Sequence, residues 1–298
     1  MKLIASCFLF ATLLYALSAA ASDQELRLDV GGRSRTALIH TPDGADLSKP
    51  LPLVIVLHGG GGNAESAAKQ TGLSVVADRD KFIVAYPNGT SRLFSNRFLT
   101  WNAGACCDYA QKNKVDDVGF IRALVAEIQH THALDPKRIY ATGISNGGMM
   151  SYRLACEMSD VLAAIAPVSA VQIAPSCTPS QPVSVIHFHG SADQNVLING
   201  GVGKKALNND MRPPVADSIQ FWVKHNACGP AQSTQSGNIH REDYSGCSKG
   251  SAVTYYVITG GGHAWPGGQQ MLKMLDKPSD EISASDTLWD FFKTHPKP

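Results

Sequence analysis

Six short, nearly unbroken apolar runs punctuate the chain, and each stops at glycine or a small polar residue. They are LPLVIVLHG (51–59), FIVAYPNG (82–89), RIYATGIS (138–145), LAAIAPVSA (162–170), VSVIHFHG (183–190) and AVTYYVITGGG (252–262). Runs of this length that do not alternate with polar residues suit strands covered on both faces, as in a parallel sheet. Between them lie segments with helical spacing: 64–80, 115–134, 146–158, 213–228 and 283–295. In one of them, Val118, Ile121, Leu124, Val125 and Ile128 form a core-facing stripe. Alternation of the two kinds of segment predicts βαβ units in a mostly parallel central sheet flanked by helices. ELRLDVGGRSRTALIHTP (25–42) adds a hairpin turning at Gly31–Gly32. With neither repeats nor low-complexity linkers, residues 22–298 read as a single domain. The chain is 44% hydrophobic and 17% charged with a formal net charge of +1, so it has material for a core and no electrostatic bias toward nucleic acid or an anionic membrane.

The first residues have a different character. MKLIASCFLFATLLYALSAAASDQ starts with one lysine and runs apolar to about Leu17. It then presents Ala19 and Ala21 in an A-x-A-like arrangement, the layout of a secretory signal peptide cleaved after Ala21. The apolar run falls short of the roughly 20 residues a spanning helix needs. The expectation is a secreted or periplasmic protein with residues 1–21 removed. Of seven cysteines, loss of Cys7 with the leader leaves six, an even number in an oxidising compartment. Pairing neighbours along the chain gives Cys156–Cys177 and Cys228–Cys247. The adjacent Cys106 and Cys107 are left either bonded to each other or as two thiols. The spacing lacks paired C-x-x-C units, so no metal site is expected.

Gly143-Ile144-Ser145-Asn146-Gly147 is a G-x-S-x-G placed where a strand turns into a helix. A serine there is held on a tight turn with its hydroxyl presented at the sheet's carboxyl edge, beside the positive end of the following helix. A serine hydroxyl needs a base, and the base an orienting acid. The later strands supply both: Asp193 follows VSVIHFHG, and His263 lies in the glycine loop after the last strand. Asp116 and Asp117 are rival acids, but their place before a helix suits capping. His187 and His189 lie within a strand and read as structural. An anion formed on an attacked carbonyl also needs N–H donors. Gly59 and Gly60, after His58, and the amide of Asn146 are the candidates. A phosphate-binding loop would end in Gly-Lys-Ser/Thr, whereas this one continues Gly62-Asn63-Ala64. Trp101 and Trp265, in the neighbouring loops, are candidates for stacking on substrate, with core packing as the alternative.

Taken in order, HGGGGNAES, YPNG, TWNAGACCDYA, VDDVGFI, GISNGGMMSYRLAC, HFHGSADQNV and GGGHAWPGG resemble the secreted esterase family that includes polyhydroxybutyrate depolymerases and the feruloyl or acetyl-xylan esterases of carbohydrate esterase family 1. The resemblance covers nearly all of the chain after the leader. It implies an α/β-hydrolase fold and a serine esterase needing no cofactor, with Ser145 as nucleophile, Asp193 as acid, His263 as base and the glycines after His58 as half of the oxyanion hole. The implied substrates are feruloyl or related esters on plant polysaccharide, with short 3-hydroxybutyrate polyesters as the alternative. The sequence ends at DFFKTHPKP, without the linker and polymer-binding domain many polyester depolymerases append, so a crystalline polymer is not the expected substrate. A peptidase on the same fold and a catalytically silent carbohydrate-binding protein are the remaining alternatives. Oligomeric state has no signature in the sequence.

Overall fold

The computed structural model describes residues 22–93, 96–206 and 208–298, so the leader expected over 1–21 lies outside the described residues. Ser22–Val30 (β1) and Arg33–Thr41 (β2) pair antiparallel around Gly31 and Gly32. Both glycines take left-handed φ values, of 58° and 71°, which a side chain would oppose. The apolar runs form Leu51–Leu57 (β3), Ile83–Pro87 (β4), Leu134–Ile144 (β5), Ala164–Val168 (β6), Ser184–Gly190 (β7) and, near the end, Val253–Ile258 (β10). Ala231–Ser236 (β8) and Ile239–Tyr244 (β9) make a further hairpin. Among the described residues, ten strands join one sheet in the order β1-β2-β4-β3-β5-β6-β7-β10-β9-β8. The six central strands, β4 to β10 in that order, run parallel, and antiparallel pairs flank them on both sides.

Every residue of β3, β4, β6 and β7 is buried, as continuous apolar runs require. The pleat divides β3 between two cores. Leu53, Ile55 and Leu57 pack with Phe120, Ile121 and Leu124 of Asp117–Thr131 (α4), Met150 and Leu154 of Asn146–Glu157 (α5), and Ile219 and Trp222 of Val215–His225 (α6). Val54 and Val56 face Leu73 and Val76 of Leu73–Asp80 (α2) and Leu288, Trp289 and Phe292 of Ala284–Thr294 (α7). Each such side chain contributes about 1.5–3 kcal/mol by leaving water. The arrangement is the α/β fold the sequence implied: one mostly parallel sheet between helical layers.

Three local features depart from the sequence reading. The segment 64–80 is two helices, Ala64–Thr71 (α1) and α2, because Gly72 takes a left-handed φ of 61° between them. The β8–β9 hairpin carries no apolar alternation, since every residue of β8 is exposed. A five-residue helix, Asp108–Lys112 (α3), is too short to show a period. The disulfides are Cys156–Cys177, Cys228–Cys247 and Cys106–Cys107. Sequence separations of 21 and 19 residues for the first two give each about 3 kcal/mol of stabilisation by loop closure in the unfolded chain. Among the described residues no helix is long and apolar enough to cross a membrane.

Candidate active site

The strand order reverses direction at β3: β4 lies on one side of it and β5 on the other. The crevice outside the carboxyl ends of such strands is where open α/β sheets place ligands. β3 delivers His58 and Gly59 there, and β5 delivers Ser145. Ser145 has φ 57° and ψ −122°, a conformation costing on the order of 1–3 kcal/mol for a residue with a side chain. Its amide donates to the Val168 carbonyl at 2.9 Å, holding the turn to the end of β6. The flanking glycines are dictated by crowding. A Cβ on Gly143 would sit 2.6 Å from the Leu57 carbonyl oxygen, and one on Gly147 would run into the carbonyls of Leu57 and His58. Backbones therefore approach closely at this point, with α5 starting directly over the end of β3.

Two of the loop amides after His58 are engaged elsewhere: Gly61 donates to Leu99 O at 2.8 Å and Gly62 to Gly59 O at 3.0 Å. That leaves the amides of Gly59 and Gly60 as the candidate oxyanion donors from this loop. Gly59 lies against the serine, its Cβ position 3.7 Å from the Ser145 Cβ. The amide of Asn146 opens α5, where first-turn N–H groups lack intrahelical acceptors. The Asn146 side chain is locked by a reciprocal pair, Trp101 N–H donating to Oδ1 at 2.7 Å and Nδ2 donating to Trp101 O at 3.0 Å.

Trp101 and Trp265, expected as stacking platforms, are both fully buried and offer no face to a substrate. Trp101 Nε1 donates to His58 O at 3.0 Å, and Trp265 Nε1 donates to Ser285 Oγ at 3.0 Å. Trp101 instead braces the glycine loop at His58. Asp117 also differs from its expected capping role. Asp116 caps α4 by accepting from Gly119 N, whereas buried Asp117 pairs with buried Arg35 at 2.7 Å and accepts from Asn102 N at 2.8 Å.

The candidate acid and base follow β7 and β10. Asp193 is buried, and its Oδ1 accepts the amides of Asn195 at 2.8 Å and Val196 at 2.9 Å. Its Oδ2 lies 2.8 Å from His263 Nδ1. Burial alone would raise the Asp193 pKa. The hydrogen bonds from His263 and the Val196 amide outweigh it and hold the carboxyl below its ordinary value. A carboxylate there fixes the proton on Nδ1 of His263 and leaves Nε2 as the acceptor. His187 and His189 are buried and structural, as the sequence suggested. His189 Nε2 donates to Val196 O at 2.8 Å, so its Nδ1 accepts from His187 Nε2 at 3.2 Å, and His187 Nδ1 accepts from Tyr152 OH at 2.9 Å.

His58 is the residue whose part the sequence did not disclose beyond its motif. Its Nε2 accepts from Gly89 N at 3.0 Å, so its Nδ1 donates to Gly59 O at 2.8 Å and orients the glycine loop. Burial lowers its pKa from 6.5 to about 4, opposed by the Gly59 bond. Burial also lowers His187 and His189. The unfolded chain therefore binds protons that the folded state refuses between about pH 6.5 and 4, and stability falls as pH drops through that window. His58 alone accounts for about 3 kcal/mol of that loss. Urea midpoints measured from pH 7.5 downward should decline across the window; a flat profile would contradict neutral, buried imidazoles.

Known proteins resemble this chain in the same terms. Residues 36–213 match the family model described as Esterase PHB depolymerase. Feruloyl esterase B of Piromyces equi is 34% identical over 239 residues, a match taking in 77% of this chain and 42% of that protein, so the chain spans under half of that relative's length. Feruloyl esterase C of Emericella nidulans is 30% identical over 268 residues, covering 87% of this chain and 83% of that one. Acetyl xylan esterase from Aspergillus awamori superposes with a TM-score of 0.63 at 14% identity, over 91% of this chain and 99% of that structure, a likeness of fold.

Proposed function

The chain belongs to the Esterase PHB depolymerase family, and from that premise we propose that it is an exported serine hydrolase acting on feruloyl or related esters of plant polysaccharide. The observation that carries the reading is the 2.8 Å bond of Asp193 to His263 Nδ1, at the same sheet edge as a serine held at φ 57°. His263 Nε2 takes the hydroxyl proton as Ser145 attacks the ester carbonyl. The oxyanion rests on the amides of Asn146 and of Gly59 or Gly60. Asp193 stabilises the imidazolium, which then protonates the departing alcohol. Water, activated by the same imidazole, releases the acid from the acyl-enzyme. These steps are organic acid–base chemistry and call for no cofactor.

A second substrate reading, short polyesters, is favoured by apolar side chains left in water on loops leaving the carboxyl ends of β4, β7 and β10. Phe98 is 67% exposed, Met211 74% and Met274 82%. Incubation with feruloylated arabinoxylan and with amorphous polyhydroxybutyrate, side by side, separates the two. Ferulate release is the expected result. Release of 3-hydroxybutyrate oligomers without ferulate would move the assignment to polyesters, and cleavage of aminoacyl-anilides in preference to aryl esters would make the protein a peptidase.

A further inference from the structure

We propose that Asp276 is a positioning residue for the base, holding the backbone of His263 so that its ring meets both Asp193 and Ser145; the inference rests on the triad assignment above. His263 lies in the irregular stretch after β10, a glycine loop with left-handed residues at Gly260 (φ 76°) and Gly267 (φ 73°). Such a loop does not hold a side chain in place by itself. Its anchor at His263 is a side chain 13 residues further on: the His263 amide donates to Asp276 Oδ2 at 2.8 Å. The carboxylate lies flat against the preceding residue, where a Cβ on Gly262 would come within 2.7 Å of Asp276 Cγ. Glycine at 262 is thus what lets Asp276 reach the amide.

Asp276 is fixed from its other side. Its Oδ1 accepts from Lys205 Nζ at 2.8 Å, and that lysine belongs to the long loop after β7. The backbone of Lys205 is tied to the acid's own loop, its N–H donating to Gln194 O at 2.9 Å and its carbonyl accepting from Asn195 Nδ2 at 2.9 Å. Asn195 N–H in turn donates to Asp193 Oδ1 at 2.8 Å. Asp193, Asn195, Lys205, Asp276 and His263 therefore form a closed circuit, completed by the bond from His263 to Asp193. Two irregular loops carry the acid and the base, and Asp276 links them. The bonds from Lys205 and the His263 amide hold its carboxyl below the ordinary value, so it stays an acceptor at neutral pH.

Steady-state kinetics on an aryl acetate, with the full chain, tests this. Asp276→Ala should lower kcat by about 10- to 100-fold, the usual cost of a misplaced catalytic group, while KM moves little. Asp276→Asn should retain most of the activity, because its amide oxygen still accepts the His263 N–H. Asp276→Glu, which keeps the charge but displaces the acceptor, should fail like alanine and replaces it if the alanine variant does not fold. Lys205→Met should fall between wild type and Asp276→Ala, since it removes the link to the acid's loop but leaves the bond to the His263 amide. The alanine or glutamate variant matching wild-type kcat, or asparagine failing as badly as both, would overturn the proposal. So would a loss confined to KM. An inactive wild type, or a Ser145→Ala variant as active as wild type, would instead overturn the triad itself.

Discussion

Ser145→Ala should lower kcat for an aryl ester by roughly a million-fold while KM stays within a few-fold, because the covalent step needs the hydroxyl and ground-state binding does not. The residue that remains is a background from the oxyanion donors and from binding, about 1,000- to 10,000-fold over water. The backbone is indifferent to the change. Alanine pays the same strain as serine at φ 57°, the amide of residue 145 still reaches Val168 O, and the Ser145 side chain caps nothing. The melting temperature should therefore match wild type, which separates lost chemistry from lost fold. Turnover near the wild-type rate would remove Ser145 from the mechanism.

Asp193→Asn is the second large effect, about 10,000-fold in kcat. The cause lies in how the carboxylate's two oxygens are used. Oδ1 accepts from the amides of Asn195 and Val196, and Oδ2 accepts from His263 Nδ1. Asparagine has one oxygen for the two roles. With that oxygen kept on the two amides, the NH2 group faces His263, forces Nδ1 to accept, and moves the ring proton to Nε2. The base then presents a donor to a hydroxyl that needs an acceptor. Turning the amide over restores His263 but sets its NH2 against two N–H groups, which disrupts the loop. Kinetics alongside urea denaturation distinguish these outcomes. The first gives an inactive protein of near-normal stability, the second an active but weakened one. A variant both stable and fully active would show that Asp193 is not the acid.

The elements legible in the sequence were those with a physical signature along the chain. The runs at 51–59, 162–170 and 183–190 announced strands covered on both faces, and β3, β6 and β7 are buried throughout. Gly143 and Gly147 announced the turn at Ser145 because only glycine tolerates carbonyls so near. An acid and a base are expected where later strands end, and Asp193 and His263, which follow β7 and β10, lie 2.8 Å apart. What sequence could not give was the direction of a side chain in an irregular loop. Trp265 is two residues from His263, yet it points into the core against Ser285. Trp101 does the same beneath His58. Asp117 sits where a cap is expected but turns inward to Arg35, a strand residue 82 positions away. Asp276 has no local pattern at all, since its bond to the His263 amide exists only once the loop has closed back on itself. The β8–β9 hairpin has no signature along the chain, because β8 is exposed throughout and offers no apolar alternation to read.

Peptide mapping after reaction with a fluorophosphonate tests the shared geometry of nucleophile and base most directly. A single adduct on the peptide bearing residue 145, formed by the folded protein and lost in His263→Ala, is the predicted outcome. An enzyme that hydrolyses esters yet carries its adduct on another residue, or that labels residue 145 equally well without the imidazole, would contradict it.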